Sequence, residues 1–122
     1  MESYKTVVVG GIPTARLSRQ GMTDLMLNDC LAARSGGQPA KLVFDVNGHA
    51  LALAYWNRAF RGDLTAGDLI HADGQAIVTA SRLLARAPIP ERSATTDFFH
   101  DAAVAAGRAG LRFYLLGATE DV

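Results

Sequence analysis

The sequence lacks the features that mark several large classes of protein. It contains one cysteine, Cys30, so a disulfide framework within the chain is excluded and a reducing compartment is expected. No apolar run approaches the ~20 residues that a membrane-spanning helix needs, and the stretch after Met1 is too poor in apolar residues for a secretory signal peptide. Any association with a membrane is therefore expected to be peripheral.

The sequence also has no excess of positive or negative charge. Twelve Lys and Arg residues balance twelve Asp and Glu residues, and a neutral chain has no bulk attraction for nucleic acid or for anionic lipid. The three histidines and the single cysteine do not fall at the spacing of a metal site. We therefore expect neither a nucleic-acid partner nor a metal.

The common motifs of nucleotide sites and serine nucleophiles are missing. A G-x-G-x-x-G frame that starts at Gly10 would need glycine at position 12 and finds Ile12, and Pro13 blocks the turn into a helix. The chain has no P-loop and no G-x-S-x-G motif. No cofactor is predicted.

What the sequence does contain is an ordinary globular composition with alternating strand and helix patterns. Of its 122 residues, 49% are apolar and 20% are charged, which is typical of a soluble domain with a modest core. Strands are predicted at 5–10, 41–46, 68–72 and 111–116. Helices are predicted from Ser18 or Thr23 to Arg34, from Asn47 to Gly62, over 75–86, and from Thr95 or Thr96 to 109.

The order of these elements, β-α-β-α-β-α-α-β, predicts one α/β domain over residues 1–122. We expect a mainly parallel, open, Rossmann-like sheet with helices on both faces, and Pro13 should keep the first strand from continuing as a central strand. The last strand, 111–116, has no helix after it, although a parallel sheet is normally covered on both faces. The chain is therefore expected to be the front part of a longer domain, or to be covered by a partner.

The segment 69–84 is the centre of the functional argument. A short apolar strand stops at Asp73 and Gly74, and an amphipathic helix starts at once with Arg82 on its outer face. Enzymes with open α/β sheets place their chemistry at the carboxyl ends of the strands. The sequence therefore predicts a functional carboxylate at this edge.

Other polar positions are expected at the same edge of the sheet. Asn47 and Gly117 follow predicted strands, and Arg92 lies in the connector after the third strand and its helix. An amide, a carboxylate and a guanidinium in one cleft suit a phosphate-bearing substrate and a hydroxyl nucleophile. Arg92 would hold phosphate oxygens in a forked contact, and Asp73 would accept the proton of the hydroxyl.

Structural interpretations of the same residues stay open. Asp73 could cap the helix that starts at Gln75, and Asn47 could cap its own helix. His49 is either a general base or a surface residue of a first helical turn. Cys30 lies on the apolar stripe of its helix, which favours a small buried hydrophobic residue over a nucleophile.

An ordered set of short motifs resembles the WecG/TagA/CpsF family of bacterial glycosyltransferases. The resemblance covers most of the chain, and the order and spacing of the motifs carry it. The matching segments are 11–13, the strand that ends at 47, and 57–60, 72–74, 80–84, 90–92, 96–98 and 115–117.

The resemblance implies transfer of a hexose or N-acetylhexosamine from a nucleotide-diphosphate donor, usually a UDP-sugar. The acceptor would be a polyprenyl-diphosphate-linked saccharide in exopolysaccharide or cell-surface glycan synthesis, and the reaction would invert the anomeric centre without a metal. By position Asp73 matches the proposed catalytic base of the family. The substrate-binding positions implied in the same way are Asn47, Gly74, Gln75, Arg92, Thr96, Asp97 and Gly117.

The sequence departs from the family pattern in two places. Gln75 stands where an apolar residue is commoner, and Ser93, Ala94 and Thr95 replace the usual Val-x-Gly. Further βα units and a membrane-docking segment of the family are absent, so the chain is expected to be an N-terminal portion that is inactive alone. The resemblance implies a cytoplasmic protein, peripheral at the inner face of the plasma membrane in its full-length form, and leaves a homo-oligomer open. The alternative is a truncated, non-catalytic module that binds a nucleotide or a partner.

Overall fold

The computed structural model describes residues 4–120 and confirms a mixed α/β fold. Within this part of the chain, five helices accompany two small sheets, one antiparallel and one parallel. The strands are β1 (Thr6–Val9), β2 (Ile12–Ala15), β3 (Val43–Val46) and β4 (Leu69–Ala72). The helices are α1 (Arg19–Arg34), α2 (Gly48–Trp56), α3 (Arg58–Thr65), α4 (Gln75–Leu84) and α5 (Thr95–Arg108).

The start of the chain folds as a β-hairpin, in which Pro13 lies in an edge strand of a two-stranded sheet and not in a central strand. Gly10 and Gly11 have φ values of 57° and 76°, so both adopt the left-handed conformation that a type I′ turn requires. Val9 pairs with Ile12 and Val8 with Pro13 in the antiparallel register. The pair next to a two-residue turn exchanges hydrogen bonds and the following pair does not, so Pro13 needs no N–H towards β1.

The second and third predicted strands, now β3 and β4, form a parallel pair. Asp45 lies opposite His71 and Val46 opposite Ala72. Ile70 and Ala72 of β4 pack into a core with the hairpin, α2, α3 and α4. Leu69 turns to the other side, where Met22 of α1 and Phe98 of α5 cover it. Helices therefore lie on both faces of this strand pair.

The sheet is not the mainly parallel, Rossmann-like one that the element order predicted. Among residues 4–120, each sheet has two strands, and only the β3–β4 pair is parallel. The predicted strand 111–116 is wrong in this structure, because residues 111–119 have no regular secondary structure. Leu115 and Leu116 are 72% and 87% exposed. A strand forms only where a neighbour takes up its N–H and C=O groups, and no such pairing is present in the described chain.

The helix starts follow capping chemistry. Ser18 caps α1, since its Oγ accepts the Gly21 N–H at 3.0 Å, which decides between the two predicted starts. Asn57 divides the predicted helix from Asn47 to Gly62 in two, because its Oδ1 accepts the Phe60 N–H at 3.0 Å and starts a new helix there. Gly110, with a φ of 65°, ends α5.

Cys30 is exposed, so the prediction of a buried position is wrong. The apolar stripe of α1 begins at Met22, which is buried, but the last residues of the stripe do not pack against the strands. Its later residues line a cavity of about 810 Å³, which also reaches Val43 and Leu69 at the amino ends of β3 and β4. This cavity is therefore at the opposite end of the strands from Asp73.

Candidate active site

The carboxyl ends of β3 and β4 meet as predicted. The backbone N–H groups of Asp73 and Gly74 lie 3.0 and 3.4 Å from the Val46 carbonyl oxygen, to which they donate. A Cβ atom at position 74 would lie 3.1 Å from Asn47 Cβ. Glycine at this position therefore allows the two strand ends to approach closely, which places Asn47 beside Asp73 and Gly74.

Asn47 is the N-cap of α2, as the structural interpretation predicted. Its Oδ1 accepts the Ala50 N–H at 2.9 Å, and its backbone is extended. The cap uses only the carbonyl end of the side chain, while the amide –NH₂ group is a separate donor. Capping and ligand binding by Asn47 are therefore compatible.

Asp73 caps a helix, but not the one that the sequence suggested. The N-cap of α4 is Gly74, which has no side chain to offer. Asp73 Oδ1 instead accepts the Thr95 N–H at 2.7 Å, at the first residue of α5. The N-cap residue of that helix, Ala94, makes no side-chain cap, so Asp73 supplies the missing acceptor from another part of the chain.

A second carboxylate, Asp45, joins the same helix start. Thr95 Oγ1 donates to Asp45 Oδ2 at 2.5 Å, so Thr95 bridges the carboxylates of β3 and of the β4 end. Asp45 was predicted only as a residue of a strand and not as part of the site. The available signal was a charged residue inside the otherwise apolar strand Val43–Val46, two positions before Asn47 and therefore on the same face as the strand end.

The connector between α4 and α5 is fixed to the end of β4. The Ser93 N–H donates to the Ala72 carbonyl oxygen at 2.8 Å, and Ser93 and Ala94 are buried. Together with the Thr95 contact to Asp73, this hydrogen bond straps residues 93–95 across the strand end. The segment that departs from the family pattern is thus the one that builds this side of the site.

Arg92 and Asp97 lie together beside this strap. Arg92 Nη2 is 3.6 Å from Asp97 Oδ2, and both side chains are about half exposed. Arg19 of α1 also approaches Asp97, at 3.9 Å, and makes a closer ion pair with Asp101 at 2.6 Å. Exposed pairs of this kind contribute about 0–1 kcal/mol, so the guanidinium of Arg92 can exchange its partner at little cost.

The three remaining predicted substrate-binding positions do not all lie at the strand ends. Gln75 and Thr96 are exposed residues in the first turns of α4 and α5, so both lie next to the strand ends. Gly117 lies in the irregular segment 111–119, where a Cβ atom would meet nothing within 4 Å. The structure therefore brings Asn47, Gly74 and Asp73 together, and does not bring Gly117 against them.

His71 is a buried histidine on the same face of β4 as Asp73. It is 4% exposed, it pairs in register with Asp45, and its Nδ1 has no hydrogen-bond partner. Burial lowers the pKa of His71, against the opposing influence of the Asp45 carboxylate, a hydrogen bond with the Ser93 backbone and the Asp73 carboxylate. In the sequence His71 stands out only as a possible metal ligand, and no local pattern predicts its buried position beneath the site.

The described residues offer no grouping of His, Cys, Asp or Glu side chains that could hold a metal ion. Asp45, His71 and Asp73 share one face of the strand pair, and Thr95 engages one oxygen of each of the two carboxylates. Of the helices in residues 4–120, none is both long enough and apolar enough to cross a bilayer.

Comparison with known proteins supplies one match. A family model described as "Glycosyl transferase WecG/TagA/CpsF family" matches residues 7–122. A search of curated proteins finds no match to the chain. The matched range contains both strand ends, the connector and every residue of the site described above.

Proposed function

The chain belongs to the glycosyl transferase WecG/TagA/CpsF family, and we propose that it transfers a hexose or N-acetylhexosamine from a UDP-sugar. The proposed acceptor is a saccharide linked to a polyprenyl diphosphate, in exopolysaccharide or cell-surface glycan synthesis. The observation that carries the proposal is the Asp73 carboxylate at the carboxyl ends of two parallel strands, held there by the Thr95 N–H.

The proposed reaction is a single displacement that inverts the anomeric centre. The acceptor hydroxyl attacks the anomeric carbon, the bond from that carbon to the diphosphate oxygen breaks, and the nucleoside diphosphate leaves with the electron pair. The hydroxyl proton passes to Asp73, the general base. Because Thr95 holds Asp73 Oδ1 at 2.7 Å, the second carboxylate oxygen has a fixed direction before the reaction begins.

The proposed donor site adjoins this base. Arg92 offers a planar guanidinium that can hold two diphosphate oxygens at once. Asn47 can donate from its amide group, and Gly74, the other proposed position here, lets Asn47 pack closely against the end of β4. Charge on the leaving diphosphate develops in the displacement, so a cation at Arg92 stabilises the transition state more than the ground state.

Four further residues are proposed to complete the substrate contacts. Gln75 and Thr96 offer an amide and a hydroxyl from the first turns of α4 and α5. Asp97 orients Arg92 through the ion pair at 3.6 Å. Gly117 is proposed to bind substrate only after the 111–119 segment moves towards the strand ends, because in the structure it stands apart from them.

The proposed substrates also imply where the reaction takes place. A nucleotide-sugar donor is a cytoplasmic metabolite, and a polyprenyl-linked acceptor is held by a bilayer. We therefore propose a cytoplasmic protein that works at the inner face of the plasma membrane through peripheral contact.

Calorimetric titration with UDP, combined with a turnover assay, tests this proposal. The assay would use a panel of UDP-hexoses and UDP-N-acetylhexosamines with a short-chain polyprenyl-diphosphate saccharide, and mass spectrometry would detect the product. A charged hydrogen bond is worth about 1.5–3 kcal/mol, so Arg92→Ala is expected to weaken UDP binding by about 10- to 100-fold. Arg58→Ala, at an exposed arginine of α3, is the matched control and should leave UDP binding unchanged.

The outcomes separate catalysis from simple binding. Product formation that depends on Asp73 supports the proposed function. UDP binding that depends on Arg92, with no turnover by this chain or by any longer natural form of it, would favour the alternative of a non-catalytic nucleotide-binding module. Absence of both UDP binding and turnover would refute the proposal.

A further inference from the structure

The outer edge of β3, which faces away from β4, pairs with no strand among residues 4–120. The carbonyl oxygens of Leu42 and Val46 accept hydrogen bonds from the β4 side. Because successive residues of a strand direct their N–H and C=O groups to opposite edges, those of Val43 and Asp45 point to the outer edge. A free edge of this kind is a template for a further strand.

The segment 111–116 carries side chains that such a strand would use. It has no regular secondary structure, and Tyr114, Leu115 and Leu116 are mostly exposed. Consecutive exposed apolar residues mark a surface that packs against another surface, and aromatic residues such as Phe113 and Tyr114 are favoured in strands. The described chain therefore contains both an unpaired strand edge and an unpaired apolar segment.

The segment begins at the amino end of β3. α5 starts beside the carboxyl ends of the strands and ends at Arg108, so the chain after α5 starts from the opposite end and can run parallel to β3. Leu111 lines the cavity of about 810 Å³ together with Val43. The ring of Phe113 packs against that of Phe99 on α5, with the centroids 5.4 Å apart.

Chain connectivity favours the outer edge of β3 over the far side of β4. That far side is taken by the hairpin, because Ile12 and Ala15 of β2 pack into the cores on the two faces of β4. α2 and α3 connect β3 to β4 over one face, and α5 covers the other. A return step from β4 to the outer side of β3 is right-handed only when its helix lies on the opposite face, as α5 does.

We propose that the segment 111–116 docks on the outer edge of β3 as a parallel strand and thereby brings Gly117 to the carboxyl ends of β3 and β4. In the structure the segment is undocked. The strand pairing depends only on the geometry of this chain. The role of Gly117 in binding the donor rests on the proposed function.

The faces of the strand pair define the register of the docked strand. Leu111 and Val43 line the same cavity, and positions two apart share a face of a strand, so Phe113 belongs to the cavity face. Placing Phe113 opposite Val43 keeps this face and brings Gly117 level with Asn47. A shift of one residue would turn the side chains to the other face, and a shift of two would displace Gly117 by about 7 Å along the strand.

Amide hydrogen exchange of the full chain, followed by nuclear magnetic resonance, tests the pairing without any substrate. In this register Tyr114 and Leu116 direct their N–H groups towards β3, whereas Phe113 and Leu115 direct theirs away. After correction for intrinsic rates, we expect the amides of Tyr114, Leu116 and Asp45 to exchange at least about tenfold more slowly than those of Phe113 and Leu115. Equal exchange at the four positions 113–116 would overturn the proposal.

A disulfide trap tests the register. Cys30 is exposed and lines the same cavity, so Cys30→Ser is the parent chain for this experiment. Opposed residues of neighbouring strands lie about 5 Å apart, within the range that a disulfide spans. Val43→Cys with Phe113→Cys should therefore oxidise to an intramolecular disulfide. The matched control, Val43→Cys with Leu116→Cys, separates the thiols by about 10 Å along the strand and should stay reduced.

The products of oxidation identify the source of the strand. A monomeric disulfide formed by the first cysteine pair alone supports docking within one chain. A disulfide-linked dimer would show that a second copy supplies the strand, and equal oxidation of both pairs would contradict the register. Either result would overturn the proposal. If the cysteine variants do not fold, the exchange pattern of the parent chain decides.

Addition of UDP separates the docking from the proposed function. If Gly117 contacts the donor at the strand ends, saturating UDP should slow the exchange of the Leu116 amide further and raise the yield of the Val43–Phe113 trap. Docking that does not respond to UDP would count against the role of Gly117 and leave the strand pairing intact. UDP binding by a chain whose segment stays unpaired would overturn the docking and leave the proposed function intact.

Discussion

Replacing Asp73 separates two roles that the structure gives to one carboxylate. Its Oδ1 accepts the Thr95 N–H at 2.7 Å and caps α5, and in the proposed reaction the other oxygen takes the acceptor proton. Asparagine can accept the N–H but cannot act as a base at neutral pH, whereas alanine can do neither. Asp73→Asn and Asp73→Ala are therefore expected to differ in stability and to agree in activity.

The expected changes in unfolding free energy follow from the loss of the helix cap, and the expected change in turnover follows from the loss of the base. Removing an N-cap side chain costs about 0.5–2 kcal/mol, and the loss of negative charge at a helix start costs about 0.3–1 kcal/mol. We expect Asp73→Ala to lose about 1–2 kcal/mol of unfolding free energy and Asp73→Asn to lose less than about 1 kcal/mol. At roughly 3–6 °C per kcal/mol for a chain of this size, the two melting temperatures should be resolved. Turnover should fall by about 10²–10⁴ in both variants, because each lacks the general base.

Thermal denaturation and turnover of a UDP-sugar check this pair of variants. Asp63→Asn, at an exposed carboxylate of α3, is the matched control and should change neither quantity. Turnover of Asp73→Asn within about threefold of the parent chain would refute the role of base. Equal melting temperatures for Asp73→Asn and Asp73→Ala would refute the cap.

Three further changes test the packing and the buried histidine. Ser81→Ala should cost about 1–3 kcal/mol by chemical denaturation, because the Ser81 hydroxyl accepts the buried Ile89 N–H at 3.0 Å. Gly67→Ala should cost about 1–3 kcal/mol, because its Cβ would lie 2.5 Å from the Phe44 ring. Since burial lowers the pKa of His71 from 6.5, the folded state favours the neutral ring. Unfolding free energy should therefore fall as the pH drops below about 6.5, and His71→Gln should remove that part of the loss.

Controls for these changes come from exposed positions of the same residue types. Ser35→Ala removes an exposed hydroxyl and should cost much less than Ser81→Ala. Gly62→Ala places a Cβ where nothing lies within 4 Å, in a helix, and should be neutral or stabilising by up to about 1 kcal/mol. An acid loss of stability that persists unchanged in His71→Gln would show that other groups cause it.

The fold could be predicted where local chemistry decides the structure. Asn47 caps its helix as its residue type indicates, and Gly110 ends α5. The second strand of the hairpin is not among the predicted elements, because Pro13 marks a position unsuited to a central strand, whereas the edge strand β2 accommodates it opposite Val8. The strand 111–116 was predicted from its apolar and aromatic residues, but strand formation depends on a neighbouring strand that local sequence does not specify.

The site could be predicted in outline from the strand ends and not in its contacts. The parallel order of two βα units is enough to bring Asn47 and Asp73 together, because both follow adjacent strands. The link from Asp73 to Thr95 spans 22 residues. No local pattern indicates which helix a carboxylate will cap at such a separation, and the same limit hid the contact of Thr95 with Asp45.

Two carboxylates already engage Thr95 at the N-terminus of α5, and this affects where a diphosphate can bind. A helix N-terminus often binds phosphate through its free N–H groups, but here Asp73 takes the Thr95 N–H and Asp45 takes the Thr95 hydroxyl. Two carboxylates at this point would repel a diphosphate placed against the same N–H groups. Under the proposed function the donor must therefore be held by Arg92, whose ion pair with Asp97 at 3.6 Å is half exposed and readily exchanged. The N-terminus of α5 then positions the Asp73 base, and Arg92 binds the leaving diphosphate.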